Sequence, residues 1–233
     1  ADAAFDAFGL VADECGLTLA EANDVIAGFA LDAARWSPTT EADMLRYCYH
    51  VAGAVGIMMA RIMGVHPDDG DTLDRACDLG LAFQLANIAR DICEDEAADR
   101  CYLPVEWLVE MDMPPGEHMK PWVRPRLTRL ARRLADMAAA YEQSARHGTG
   151  ALPPRAAWAV LAAAGIYGDI AREVARRGDH AWDHRVVTPR RDKLAWVARA
   201  GLQVIGRARR WPADAPRSPA LQTHRTRSQP DRR

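Results

Sequence analysis

The stretch Leu79–Pro104, LGLAFQLANIARDICEDEAADRCYLP, decides the reading of this chain. Gln84, Asn87, Asp91 and Asp95 recur within it at spacings of three and four, which on a helix stacks them along one face. Leu79, Phe83, Leu85, Ile88 and Ile92 fill much of the remaining circumference. An acidic stripe on an otherwise apolar helix has to be buried or to line a cleft, and buried carboxylates are costly unless they are paired or bound to a metal. Hard oxygen donors of this kind suit magnesium, which takes one or two carboxylates and completes its shell with water and substrate phosphate. A lone carboxylate pair at i, i+4 is most often a surface feature. Here the apolar surroundings, and Asn87 on the same stripe, favour the metal.

Two motifs carry a family resemblance. The stretch is similar to the second aspartate-rich motif of the squalene/phytoene synthase family, with Asp91 and Asp95 as its acids and Arg100-Cys101-Tyr102-Leu103-Pro104 as its Arg-x-Tyr-x-Pro ending. Upstream, Tyr47-Cys48-Tyr49-His50-Val51-Ala52-Gly53-Ala54-Val55-Gly56 resembles another family motif. The resemblance extends from about Phe5 to about Arg207 and is nearest to the bacterial phytoene synthases. It implies an all-α, single-domain helical bundle of the isoprenoid synthase type around a central prenyl-diphosphate cavity. It implies a magnesium-dependent prenyltransferase, with manganese as a substitute ion. Two geranylgeranyl diphosphates would be joined head to head through a cyclopropylcarbinyl diphosphate into phytoene. A squalene or dehydrosqualene reaction on farnesyl diphosphate is the runner-up within the same chemistry.

By the same resemblance Asp91, Asp95, Tyr47 and Arg185 are catalytic, and Asn87 joins the two aspartates at the metal. Val51, Ala52, Val55, Gly56, Phe83, Gln84, Arg90, Tyr167 and Lys193 are expected to touch substrate. The family also has a first aspartate-rich motif on a facing helix. Asp2-x-x-x-Asp6 has its spacing, but the match from Phe5 onward lies after that motif. The expectation is therefore a chain lacking its first helices and inactive or nearly so alone. A prenyl-lipid-binding subunit without catalysis is the reading from a different class.

Composition agrees with packed helices. Hydrophobic residues make up 49% and β-branched runs are scarce. A net charge of -2 gives no electrostatic case for nucleic acid. The five cysteines form no Cys-x-x-Cys pair and read as reduced thiols of a cytoplasmic protein. No apolar run is long enough to span a bilayer.

Along the chain, Ala3–Ala12 reads as the end of a helix. Thr18 and Glu21 form a capping box for the next, with Val25, Ile26 and Phe29 inward. Thr40 and Asp43 cap a helix to about Met63, in which Gly53 and Gly56 mark either close helix packing or a weak point beside the substrate. His66–Asp71 is a turn with Asp71 as N-cap. From Trp122 to about His147 an amphipathic helix puts Leu127, Leu130, Leu134, Met137 and Tyr141 inward. Its arginines 124, 126, 129, 132 and 133 form either a solvated face or a peripheral contact with an anionic inner membrane. Helices from Pro154 to about Arg177 and from Pro189 to about Arg210 complete a helical domain over 1–211. His180 and His184 have metal-ligand spacing but no third ligand nearby. Residues 212–233, rich in Pro, Ser and Arg, are expected to be a disordered basic tail.

Overall fold

A computed structural model describes residues 3–114 and 116–221. Among these every regular element is helical: α1 (Ala3–Cys15), α2 (Leu19–Ala33), α3 (Glu41–Cys48), a π-helical turn (Tyr49–Gly53), α4 (Ala54–Ile62), α5 (Gly70–Ala97), α6 (Val105–Glu110), α7 (Arg124–Gly148), α8 (Pro154–Arg177) and α9 (Arg190–Arg210). Asp2, the first acid of the Asp2–Asp6 pair, lies outside the described residues, as do 222–233.

The local signals act as their chemistry dictates. Thr18 accepts from the Glu21 amide while Glu21 reaches back to the Thr18 amide, and Thr40 with Asp43 does the same. The third cap differs from expectation. Asp69, not Asp71, accepts from the Thr72 amide, so α5 starts at Gly70. Asp71 then lies in the first turn, where its charge favours the positive helix end.

α5 is the axis, 28 residues long, with α4, α7 and α8 packed around it. Leu81 and Leu85 from α5 meet Leu127, Leu130 and Leu134 from α7 in the core, and Trp107 of α6 is also fully buried there. Against the π turn and α4 the contact is backbone to backbone. A Cβ on Gly80 would lie 2.3 Å from the Ala52 carbonyl oxygen, and one on Gly56 would lie 2.4 Å from that of Ala76. The glycines therefore serve close helix packing.

Two expectations need correction. Ile26 and Phe29 are 60% and 68% exposed rather than inward. α2 instead turns its Gly28 face to the π turn, where a Cβ would meet the Val51 side chain at 2.7 Å, and only a glycine permits that approach. The segment just after α9 is not a free tail as far as it is described. Trp211 is buried, Leu221 packs on the core, and Arg217 pairs with the fully buried Asp78 at 2.7 Å. Low hydrophobicity hid this, because the attachment is one ion pair plus backbone contacts rather than an apolar face.

The glycine contact predicts asymmetric substitutions. Gly80→Ala and Gly56→Ala should each lose about 1–3 kcal/mol from overpacking. Gly206→Ala, where a Cβ meets nothing within 4 Å, should be neutral or gain up to about 1 kcal/mol from helix propensity. Equilibrium urea unfolding checks this, and a Gly80→Ala chain as stable as wild type would rule out the close approach.

Candidate functional site

A cavity of about 470 Å³ runs beside α5 between α4 and α8. Its α5 wall extends from Thr72 and Arg75 through Leu79, Gly80 and Phe83 to Gln84 and Asn87, a span of about 22 Å at the helical rise. Val51, Ala52, Val55, Gly56 and Met59 form the opposite wall, and Ala159, Val160, Ala163 and Tyr167 the side from α8. The lining is overwhelmingly apolar, and its small residues are what leave the space. Phe83 and Tyr167 stack with ring centroids 4.1 Å apart. At that end the wall becomes polar, with the Asn87 amide donating to Gln84 at 3.5 Å.

One turn further along α5 stands a charge cluster. Arg90 Nε donates to Asp91 Oδ1 at 2.7 Å, and a second Arg90 nitrogen bonds the other oxygen. Arg185, from the loop between α8 and α9, donates to the same carboxylate at 3.0 Å and lies 3.6 Å from Glu94. Burial alone would push the Asp91 carboxyl up, but the two guanidiniums more than offset it and hold it below the usual carboxylate range. Asp95 is in the opposite condition. Burial pushes it up to about 6 and the charge of Asp91 adds to the rise, with only Arg100 opposing. The helix thus presents one neutralised and one uncompensated carboxylate.

The predicted residues divide accordingly. Val51, Ala52, Val55, Gly56, Phe83, Gln84, Asn87 and Tyr167 share the cavity. Asp91, Arg90 and Arg185 meet beyond its polar end. Tyr47 does not line the cavity. It is buried, stacks on Tyr102 at 4.8 Å and on Trp36 at 5.8 Å, and donates its hydroxyl to Asp32 at 3.0 Å. Burial and the neighbouring Tyr102 and Asp32 push that hydroxyl upward, so it stays a neutral donor. The helix that carries it runs into the π turn, whose i→i+5 bond joins the Ala54 amide to the Tyr49 carbonyl. Lys193 is exposed on α9 and lines no part of the cavity. Two residues that spacing did not single out also belong here. Asp32 accepts from both Tyr47 and Tyr102, the latter at 2.8 Å. His118, buried with its Nδ1 unpartnered among the described residues, shares a small cavity with Asp95 and Arg100. Neither follows a periodic pattern, so nothing in the sequence marks them.

The arginines expected on the surface of α7 are largely engaged within the chain. Arg124 bonds Asp183 at 2.6 Å, Arg126 bonds the Asp112 carbonyl at 2.7 Å, and Arg133 bonds Glu41 at 2.8 Å. His180 pairs with Asp183 at 2.8 Å, which accounts for it without a metal. Among the described residues no helix is long and apolar enough to cross a membrane.

Residues 1–192 match the family model for squalene/phytoene synthases. The chain belongs to that family. A phytoene synthase of Pseudescherichia vulneris is 50% identical over 204 residues, covering 88% of this chain and 65% of that protein. A 15-cis-phytoene synthase of Enterobacter agglomerans is 49% identical, covering 94% of this chain and 72% of that protein. The chain thus spans about two thirds of the length of these relatives. A dehydrosqualene synthase solved with a ligand superposes with a TM-score of 0.74 at 25% identity, over 81% of this chain and 66% of that one. The fold is that of the isoprenoid synthases.

Among the described residues no group of three or more His, Cys, Asp or Glu side chains is arranged to hold a metal ion. The donors present still fit magnesium. Asp91, Asp95 and the nearby Asn87 amide are hard oxygen ligands, and water or phosphate ordinarily completes the shell. The raised Asp95 is the group a cation would relieve. Below about pH 4 Asp95 is protonated in folded and unfolded chains alike. As pH rises through 6 the folded chain must ionise a half-buried group, so stability falls. Magnesium should therefore raise the melting temperature at about pH 7.5 but not at about pH 5. A gain of about 2–4 °C corresponds to roughly 1 kcal/mol in a domain of this size. Asp95→Asn should melt higher than wild type at about pH 7.5 and lose the magnesium response. Equal magnesium shifts at both pH values, or in the variant, would take Asp95 out of the site.

Proposed function

We propose that this chain is part of a magnesium-dependent prenyltransferase that condenses two geranylgeranyl diphosphates head to head into phytoene, through a cyclopropylcarbinyl diphosphate. The observation that carries this is an apolar cavity whose one polar end abuts the Asp91–Arg90–Arg185 cluster. A long prenyl chain needs the first and a diphosphate the second. Relatives named phytoene synthase, at 50% and 49% identity, support geranylgeranyl over farnesyl diphosphate. On this reading residues 1–211 are the helical catalytic domain, located in the cytoplasm with a peripheral contact at the inner membrane.

Magnesium or manganese, held by Asp91, Asp95 and Asn87, would supply positive charge to a departing diphosphate. The chain's own residues do the rest. Arg90 and Arg185 already lie on one carboxylate, and their planar forks match phosphate oxygens equally well. A diphosphate at this end of the cavity would compete for them and take up the charge they now give to Asp91. Such preorganised donors stabilise the charge that grows as the allylic C–O bond breaks. The stacked Phe83 and Tyr167 rings border the prenyl chain near that end, and a ring face attracts a neighbouring cation. Val51 to Gly56 and Ala159 to Ala163 keep the wall apolar, which excludes the water that would quench a carbocation. Tyr47 lies off the cavity and, with Tyr102, holds the Asp32 carboxylate.

Product analysis after incubation with geranylgeranyl diphosphate and magnesium tests the proposal, with farnesyl diphosphate in parallel. Because the chain spans about two thirds of its relatives, turnover is expected to be low. Any phytoene formed should fall by at least about 100-fold in an Asp91→Ala, Asp95→Ala chain. Product unaffected by that double substitution, or product from farnesyl diphosphate alone, would refute the assignment. A folded chain that binds a prenyl diphosphate but makes no product fits a chain inactive alone; no product even after a relative's preceding helices are joined to it would favour the lipid-binding subunit.

A further inference from the structure

The cavity end opposite the charge cluster is built on an unusual amount of buried charge. Arg75 lines that end together with Met59, Met63, Thr72 and Leu152. Its guanidinium bonds the Ser144 hydroxyl at 3.0 Å and the Ser144 carbonyl at 3.2 Å, and also the Ala215 carbonyl beyond α9. Three residues further along α5, Asp78 is fully buried and accepts from the Ser144 hydroxyl at 2.5 Å. Arg217 closes the set. Its fork grips Asp78 with bonds of 2.9 and 2.7 Å, and its remaining nitrogen donates to the Leu221 carbonyl at 2.9 Å.

The same end is tied a second time. Arg207 of α9 donates to the carbonyls of Thr149 and Leu152 at 3.1 and 3.2 Å, and both of those residues line the cavity. Ala213 passes so near that a Cβ on Gly150 would sit 3.4 Å away. The segment from Trp211 to Leu221 thus rests on the residues that form the far wall, although it lines none of the cavity itself.

We propose that this segment, which sequence composition reads as a free tail, clamps the far end of the prenyl cavity and sets the chain length accepted. Arg217 is then a positioning residue that acts through Asp78 and Arg75. The specificity role rests on the prenyl-binding reading given above; the clamp itself does not. A buried carboxylate needs its counterion. With Arg217 gone, the nearest replacement for Asp78 is Arg75, one turn away on the same helix face. Arg75 can answer only by withdrawing from the cavity wall and from Ala215, which deepens the cavity.

Two measurements on the chain as it stands test this. Hydrogen exchange should show the amides of residues 72–78 and 148–152 exchanging about tenfold faster or more in Arg217→Ala than in wild type. Unchanged protection would overturn the clamp. Binding of the unreactive thiolodiphosphates of geranylgeranyl and the five-carbon-longer geranylfarnesyl chain, with magnesium, reads the specificity. The ratio of the two dissociation constants should move about tenfold or more towards the longer chain in Arg217→Ala. It should return most of the way in Arg217→Lys, which keeps the charge. Arg217→Gln, which leaves a neutral partner beside Asp78, covers the case in which Arg217→Ala fails to fold, and it should shift the ratio in the same direction. Asp78→Asn with Arg217→Gln leaves Arg75 no charge to neutralise, so its ratio should stay near that of wild type. A ratio unchanged in folded Arg217→Ala or Arg217→Gln that binds tightly, or shifted as far in the double variant, overturns the specificity role alone. Absence of binding by wild type overturns the functional reading and the specificity role with it, while the exchange result still decides the clamp.

Discussion

The contact on which the structure depends is the one between bare backbones, where Gly80 lets α5 reach the Ala52 carbonyl of the π turn and Gly56 lets α4 reach the Ala76 carbonyl of α5. With no side chains between them, these two helices cannot fill the space on their flank. The facing part of α8 contributes Ala159, Val160 and Ala163, which are too small to fill it either. A packed interior normally leaves few voids larger than a water molecule. Here one remains because three helices all present small residues at the same level. The cost in helix propensity, about 1 kcal/mol for each interior glycine, stands against an apolar cavity lined from end to end.

Electrostatics then gives that cavity a direction. Its apolar walls carry little charge apart from Arg75, and the buried ionic groups gather beyond its two ends. At one end Asp91 is shared by Arg90 and Arg185 while Asp95 is left with a raised affinity for protons. At the other, Asp78 is satisfied by Arg217 and Ser144. The first arrangement can exchange its partners for a ligand because the arginines approach from a loop and from a neighbouring residue. The second is sealed inside the fold, so it resists such exchange. Similar ingredients give an exchangeable end and a structural end according to how easily the cations can leave.

Much of this was legible from residue order. Capping boxes at Thr18 and Thr40 fixed helix starts because their bonds span three residues and need nothing from elsewhere. The spacing from Gln84 to Asp95 carries over into the structure, since a regular helix preserves it. What failed did so for definite reasons. Tyr47 was expected at the substrate from the family resemblance, whereas its ring lies off the cavity on Tyr102 and Trp36 with its hydroxyl on Asp32. Ile26 and Phe29 were placed inward by hydrophobicity, yet the packing of α2 is dictated by Gly28, the one position that tolerates contact with Val51. The pairing of Arg217 with Asp78 joins residues 139 apart in sequence, and no local rule signals such a bond.

The π turn has an evolutionary corollary. Because its i→i+5 bond fits one residue more than an α-helical turn into a single turn, Tyr49–Gly53 leaves α3 and α4 nearly in the phase of one continuous helix. Loss of a single residue there would regularise the helix without turning α3 against α4. The same loss within α3 or α4 would turn one against the other by about 100°. Gaps of one position should therefore be tolerated better within residues 49–53 than within either helix, a contrast that deep mutational scanning of deletions would expose.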